Sequence, residues 1–563
     1  MGGKPLKRSW LGLFGLVSVS TVILSGCGSS APASSSSATS SSSTTKSTTS
    51  STTKVNKNVI VDAISEEPAN LNPVLGPGMT FSDMVDTALY QNLFNILPSG
   101  KIVPQLATKV PSVSNGGISK NGLVYTVYLH KGIKWSNGKP FTAADVITTW
   151  KVLVNPKVNA VTTLGYTDIT SVKAINKYEV QFTLKKPYAP FLTLWAGCFP
   201  AIIPSSVFAK MPASKINTSP WNHKPTAFLG PYMLKSWQSG NAITLVRNPS
   251  YWGPKAKTRE IIFKVIPNQN SIFAAMKAHE VNVWYFDPIN MLQQIKALPG
   301  VTVYLTPAPA WEHVVLNEKT QPAFKNVYVR QALQYAINRK ALVQKLWQGQ
   351  AQLITSAQPP ASWASDPNLK PYPYSPSKAK ALLKKAGYTM GSNGYLQKNG
   401  KTFHVVYSTT SGNPWRKATE QVVQQELKAV GIQMTVKNYD PTTFFGTIVH
   451  NGTFQMAEYM SGNGVDPSAI ESNFLGSQFA PKGHNASFWN DPTFNKLASQ
   501  AQSTPSQSAR KKLFYQMDKI QAQQMPNLFY YSPKEFDSSY NITGYKPNPW
   551  TVDTWNIGSW QVK

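Results

Sequence analysis

The chain has 563 residues, with 55 Lys and Arg against 25 Asp and Glu and a formal charge of +30. Apolar residues make up 41% and Trp alone counts 16, which is ample for burial, and the length exceeds one ordinary hydrophobic core, so two or three domains are expected. Two cysteines exclude a disulfide framework.

Lys4, Lys7 and Arg8 open the chain, and an apolar run of roughly 15 residues follows over 10–24. That is short of the ~20 residues a membrane-spanning helix needs. A basic start, a short apolar stretch and small residues before a cut site read as an export signal over 1–26. Leu24-Ser25-Gly26-Cys27 resembles the lipobox of bacterial lipoproteins, which implies lipid attachment at Cys27 and a cell-membrane protein anchored on the extracytoplasmic face. Residues 27–58 hold almost no large apolar side chains, so nothing offsets the entropy of ordering them. A flexible Ser/Thr linker of that length reaches roughly 30 Å. No second apolar run is long enough to span a membrane, so the body is expected to be soluble and outside the cytoplasm.

Along the body, strand and helix signals alternate. Residues 123–129 show a period of two, with Leu123, Tyr125, Val127 and Leu129 on one side. Trp135-Ser136-Asn137-Gly138 is a turn, and Thr142-Ala143-Ala144-Asp145 reads as a capping box opening a helix through Trp150. Alternation returns over 178–184, with Val180, Phe182 and Leu184 on one face. Cys198, in an apolar setting, reads as a small buried side chain. Residues 243–247 form a strand stopped by Asn248-Pro249. Ser375-Pro376 is an N-cap followed by a first-turn proline, with Gly387 as C-cap of the same helix. Residues 417–430 read as an amphipathic helix with Ala418, Val422, Leu427 and Val430 inward. Gly431 ends it, and Ile432, Met434 and Val436 begin a strand. The body is therefore α/β or mixed α+β.

The charge arises more from missing carboxylates than from added bases. Charged residues are 14% of the chain against about 25% in ordinary domains. The basic residues are scattered, and the densest runs, Lys384-Lys385 and Arg510-Lys511-Lys512, lie among helix-like residues, which argues against nucleic acid as a partner. Asp and Glu lose their charge near pH 4, so the composition fits an acidic exterior.

Several blocks stand in order: 67–73 (Glu-Pro-Ala-Asn-Leu-Asn-Pro), Tyr90-Gln91-Asn92-Leu93-Phe94, 100–107, 129–146, Gly230-Pro231-Tyr232, Arg247-Asn248-Pro249, Val329-Arg330-Gln331-Ala332-Leu333, and Tyr372-Pro373-Tyr374-Ser375-Pro376 leading to Ala386-Gly387-Tyr388. This set resembles the extracellular solute-binding proteins, family 5, of oligopeptide and dipeptide importers. The resemblance implies a two-lobed periplasmic-binding-protein-like clamp (type II, cluster C) with an extra domain in lobe one. It divides the chain into lobe one at 59–103, 225–309 and 526–563, the extra domain at 104–224, and lobe two at 310–525. It also implies a monomer that holds peptide between the lobes and delivers it to an ABC importer permease, without a cofactor.

By the same resemblance, Gly78 and Met79 would line the cleft, and so would Tyr459, Met460, Ser461, Gly462 and Asn463. Asn463 stands where peptide-binding relatives carry the Asp that receives the ligand's amine, and a neutral acceptor bonds roughly half as strongly. Asn137, Asn282, Asn338 and Ser375 also stand where the family usually has Asp, so Asn463 fits a general loss of carboxylates. A blocked peptide, an oligosaccharide or a metal chelate is the alternative ligand, and a charge-driven cell-surface adhesin is the alternative class. Arg416 lies near a carboxylate-binding Arg of relatives, with a solvent-facing role equally open. Asp466 reads as a turn cap before Pro467. The seven His are too far apart for a short metal motif, and no nucleophile elbow or phosphate loop occurs, so no enzyme activity is expected.

Overall fold

The computed structural model describes residues 58–76, 80–198 and 200–563. The signal segment, Cys27, nearly all of the linker, Gly78 and Met79 lie outside these residues.

Twelve strands among the described residues form one mixed sheet. In chain order they are β1 (Val59–Ile64), β2 (Tyr232–Gln238), β3 (Ala242–Arg247), β4 (Glu260–Val265), β5 (Val283–Trp284) and β6 (Val301–Pro307). Then come β7 (Ala310–Leu316), β8 (Ala351–Leu353), β9 (His404–Ser408), β10 (Gln433–Val436), β11 (Met456–Gly462) and β12 (Asn527–Tyr540). The spatial order is β10-β9-β11-β7-β12-β5-β1-β4-β3-β2, with β6 and β8 also on β12. β12 runs 14 residues and serves both halves of the molecule. Its start pairs with β7, Leu528 opposite Val314, and its end pairs with β6, Phe536 opposite Leu305. The changeover falls at Ser532 and Pro533, which pair with Gln352 and Ala351 of β8. Pro533 brings no ladder donor there, as suits the place where partners change.

Two large cores flank this strand, giving the two-lobed clamp. One gathers Ile60, Phe94, Trp135, Phe182, Phe263 and Trp560, and the other Trp311, Leu333, Val405, Leu427, Phe514 and Phe529. Within the first, residues 124–184 supply a three-stranded antiparallel sheet, with Glu179–Leu184 between Val124–Tyr128 and Ile169–Asn176. Tyr125, Val127, Val180, Phe182 and Leu184 are all buried, as the alternation requires. The helix beside it is Ala143–Leu153, three residues longer than expected, and it keeps the capping box: Asp145 Oδ2 accepts from Thr142 N at 2.8 Å, and Thr142 Oγ1 from Ala144 N at 3.3 Å.

Three local expectations need correction. The helix expected at 417–430 is Pro414–Ala429, capped by Asn413, and Thr419, Glu420, Val423 and Leu427 are its buried residues. Ala418 and Val422 are only half-buried. The inward face is turned by one position because Glu420 accepts a 2.6 Å bond from Asn438 and Thr419 bonds Trp415 O, so polar side chains share the buried stripe. Gly387 follows the C-cap Ala386 and takes the left-handed conformation, φ +88°. Cys198 is half-buried against the first core rather than enclosed in it.

Candidate ligand-binding cleft

Four of the expected site residues sit on β11, and Asn463 directly follows it. The strand pairs antiparallel with β7, Gly462 opposite Ala310, Ser461 opposite Trp311, Met460 opposite Glu312, and Tyr459 opposite His313. On its other side β11 pairs with β9 only through Met456 and Ala457. From Tyr459 to Gly462 that edge has no strand partner among the described residues. Tyr459, Met460 and Ser461 are half-buried and Gly462 is exposed, so this short edge is accessible.

The two faces of the edge differ chemically because side chains alternate. On one, Trp311 stacks on His313 at 3.9 Å and His313 meets Tyr459 edge-on at 4.5 Å. Ser461 Oγ lies 3.0 Å from His313 Nε2. Burial, then the Arg416 charge, holds His313 well below its ordinary pKa, so the ring is neutral. On the other face stands a largely buried ion pair. Glu312 is fully buried, and its Oε1 accepts from Arg416 Nε at 3.0 Å. Arg416 Nη1 donates to Thr410 Oγ1 at 3.0 Å. Burial alone would lower the Arg416 guanidinium, but Glu312 and Glu458 raise it. Burial, then Glu312, pushes the Glu458 carboxyl well above the usual range.

Asn463 is 9% exposed and fully engaged. Its Oδ1 accepts from Trp311 Nε1 at 3.0 Å, and its Nδ2 donates to Ala357 O at 3.1 Å and Gln358 Oε1 at 3.4 Å. Its backbone N donates to Pro309 O at 2.6 Å. The amide that would replace an amine-binding carboxylate thus ties β7 to the 357–358 segment. Beyond it, Val465 packs into the first core beside Trp550, while Trp363, packed on the second core, donates Nε1 to Val465 O at 2.9 Å, so the loop after β11 bridges the two cores. Asp466 caps the turn Pro467–Asn473 as expected and also holds Arg510 through two bonds of 2.6 and 2.7 Å.

The structure therefore gathers Tyr459, Met460, Ser461, Gly462 and Asn463 at one place and sets Arg416 directly behind them. A solvent-facing Arg416 is ruled out by its burial and its Glu312 partner. Glu312, His313, Trp311 and Glu458 were not anticipated. A Glu within the apolar stretch Ala310–Leu316 was a usable signal in a chain so short of carboxylates. A separate cavity of about 460 Å³ opens where β6, β8 and β12 meet, lined by Pro307, Val343, Leu353, Ser532 and Lys534, and none of the expected site residues borders it. Among the described residues no group of three or more His, Cys, Asp and Glu could hold a metal ion, and no helix is long and apolar enough to cross a membrane.

Comparison with known proteins agrees with this architecture. Residues 101–482 match the family described as bacterial extracellular solute-binding proteins, family 5 Middle. The oligopeptide-binding protein AppA of Bacillus subtilis (strain 168) is 26% identical over 507 residues, covering 89% of this chain and 91% of AppA. The nickel-binding periplasmic protein of Escherichia coli (strain K12) is 26% identical over 456 residues, covering 79% of this chain and 84% of that protein. The structure of Bacillus subtilis AppA in complex with a nonapeptide superposes with a TM-score of 0.70 at 25% identity, over 90% of this chain and 99% of that one. With over half its length matched and the two-lobed clamp in place, this chain belongs to the bacterial extracellular solute-binding proteins, family 5, a family of binders and not of enzymes.

Proposed function

We propose that the protein captures peptides between its two lobes and delivers them to an ABC importer permease. The open edge of β11 from Tyr459 to Gly462 carries this reading. An extended peptide can add to such an edge through main-chain hydrogen bonds, which every peptide offers whatever its sequence. Gly462, without a side chain, allows that backbone to approach closely. The edge lies one strand from β12, which both lobes share, and its following loop reaches lobe one. A ligand seated there touches both lobes and so favours the closed form. By the family resemblance, Gly78 and Met79 would also line the cleft. The lobes divide as 59–103, 225–309 and 526–563 against 310–525, with 104–224 as the extra domain.

The leading segment supports an exported lipoprotein: the signal is removed, Cys27 takes lipid, and the Ser/Thr linker tethers a monomeric clamp to the outer face of the membrane. Because the Asn463 oxygen is taken by Trp311 and Arg416 is held by Glu312, the backbone rather than either charged end supplies most of the affinity.

Thermal shift against a library of di- to hexapeptides tests the reading, with mass spectrometry of ligand retained through purification. Stabilisation at micromolar peptide, abolished when Gly462→Pro blocks the edge, is the expected result. A ligand that is a sugar or a metal chelate, with no response to any peptide, overturns it.

A further inference from the structure

We propose that the turn end of the three-stranded sheet in residues 104–224 is a second membrane-contacting surface that docks on acidic lipid headgroups. This segment is unlike the rest of the molecule in charge. It holds fourteen lysines, no arginine and only three carboxylates, whereas the remaining described residues, over three times as many, carry thirty-five Lys and Arg against twenty-two Asp and Glu. All fourteen lysines are exposed, and Asp145, one of the three acids, is buried. Nearly half of the described net charge thus sits on the surface of less than a quarter of the chain.

At one end of the sheet this charge meets exposed apolar side chains. Tyr128 pairs with Glu179, and Glu179 pairs with Asn176, so the three strands finish together. Ile175 stands in the bulge between Ala174 and Asn176 and is 53% exposed, and Tyr128 is 37% exposed. The bond from Thr108 N to Tyr128 O, 2.7 Å, brings Lys109 alongside, its Nζ 4.8 Å from the Tyr128 ring. Lys173 and Lys177 flank Ile175 in sequence and are exposed. The lone carboxylate there, Glu179, is half-buried and accepts from Asn176 Nδ2 at 2.9 Å. A soluble polyanion would need the lysines alone. Exposed Ile and Tyr side chains among ammonium groups suit an interface that is anionic outside and apolar a few ångströms deeper.

Vesicle sedimentation of the chain from residue 28 onward, so that neither the basic, apolar signal segment nor a lipid anchor contributes, tests this. The vesicles are phosphatidylcholine alone or with one-third phosphatidylglycerol. Binding is expected only to the acidic vesicles. Changing Lys109, Lys173 and Lys177 together to Gln weakens it about a hundredfold, since each lysine at an acidic surface contributes roughly 1 kcal/mol and a tenfold change is about 1.4 kcal/mol. Changing Lys380, Lys384 and Lys417, exposed lysines outside residues 104–224, removes the same charge from another part of the surface and leaves binding within about threefold, because screening confines the attraction to roughly 10 Å. Tyr128→Ser with Ile175→Ser keeps the charge, weakens vesicle binding and leaves heparin binding unchanged. Equal losses from the two lysine triples, no effect of the apolar pair, or no preference for acidic vesicles would each overturn the proposal.

Discussion

Glu471→Gln probes how the interior treats its carboxyl groups. Glu471 lies in the turn Pro467–Asn473 and is 2% exposed. Its Oε1 accepts from Gln358 Nε2 at 2.9 Å, and its Oε2 has no partner. Asp518, on the helix Gln507–Gln524, faces it, also buried and pushed well above the carboxylate range by burial and then by Glu471. Burial raises Glu471 from the ordinary 4.5 to about 8. Between those values the folded chain keeps a proton that the unfolded chain has released. The stability this group contributes is therefore fully present below pH 4.5 and is lost as pH rises through about 8. At pH 7 the loss is about 3 kcal/mol, taking 1.36 kcal/mol per pH unit. A Gln in this place is neutral at every pH and retains an oxygen for Gln358. The variant is expected within about 1 kcal/mol of the parent at pH 4.5 and up to about 3 kcal/mol more stable at pH 7. Urea unfolding followed by tryptophan fluorescence across this range measures both. A gap between the two proteins that stays constant or narrows with rising pH would refute the reasoning.

Three further outcomes are expected. Arg416→Ala leaves the Glu312 carboxyl fully buried and without its partner, at a cost of about 3–5 kcal/mol; adding Glu312→Gln should recover most of it in the same unfolding assay, and no recovery would mean the pair does not act as a unit. Asn463→Asp replaces two donated bonds with acceptors facing acceptors and should cost about 1–3 kcal/mol at neutral pH, while in the parent, acetylating a bound peptide's amine should change Kd by less than about tenfold, because the Asn463 oxygen is already occupied by Trp311. Thr142→Ala removes a side-chain cap and half of a capping box and should cost about 1 kcal/mol by thermal unfolding at any pH between 5 and 8, with no change in ligand affinity.

What the sequence made legible was whatever local rules decide. The Thr142 box, the Ser375 cap, the turn at Asn137-Gly138, the alternation through Val180, Phe182 and Leu184, and the Asp466 turn cap each rest on neighbours within a few residues, and each is present. The clamp itself was legible only through the ordered family motifs. The site's charge arrangement was not legible, because Glu312, Thr410, Arg416 and Glu458 meet across more than a hundred positions of sequence through strand pairing and a helix start. The inward face of the helix Pro414–Ala429 was misjudged for a related reason: counting apolar residues overlooks Thr419 and Glu420, which bury polar groups by bonding to neighbours.

The shortage of carboxylates admits two explanations at Asn463, and the geometry separates them. At exposed helix starts the side chain need only accept a bond, and Asn or Ser does so as well as Asp. Asn268, Asn326, Asn338, Ser375 and Asn413 all cap in this way, so at such places an uncharged residue can arise without consequence. Twelve of the 25 carboxylates are instead buried, among them Asp62, Asp537 and Asp553, and burial pushes all three above the carboxylate range. At those buried places the carboxyl groups sit inside the fold, where a surface exchange for Asn or Ser has no counterpart. Asn463 belongs to neither group. It is buried, yet it must donate as well as accept, because Ala357 O and Gln358 Oε1 face its nitrogen while Trp311 faces its oxygen. An ionised Asp could serve only Trp311. General drift away from carboxylates does not by itself account for an amide whose two ends are both specified. Residue 463 is coupled to Trp311 and to the 357–358 segment, so an Asp placed there to hold a ligand amine would need those partners altered with it.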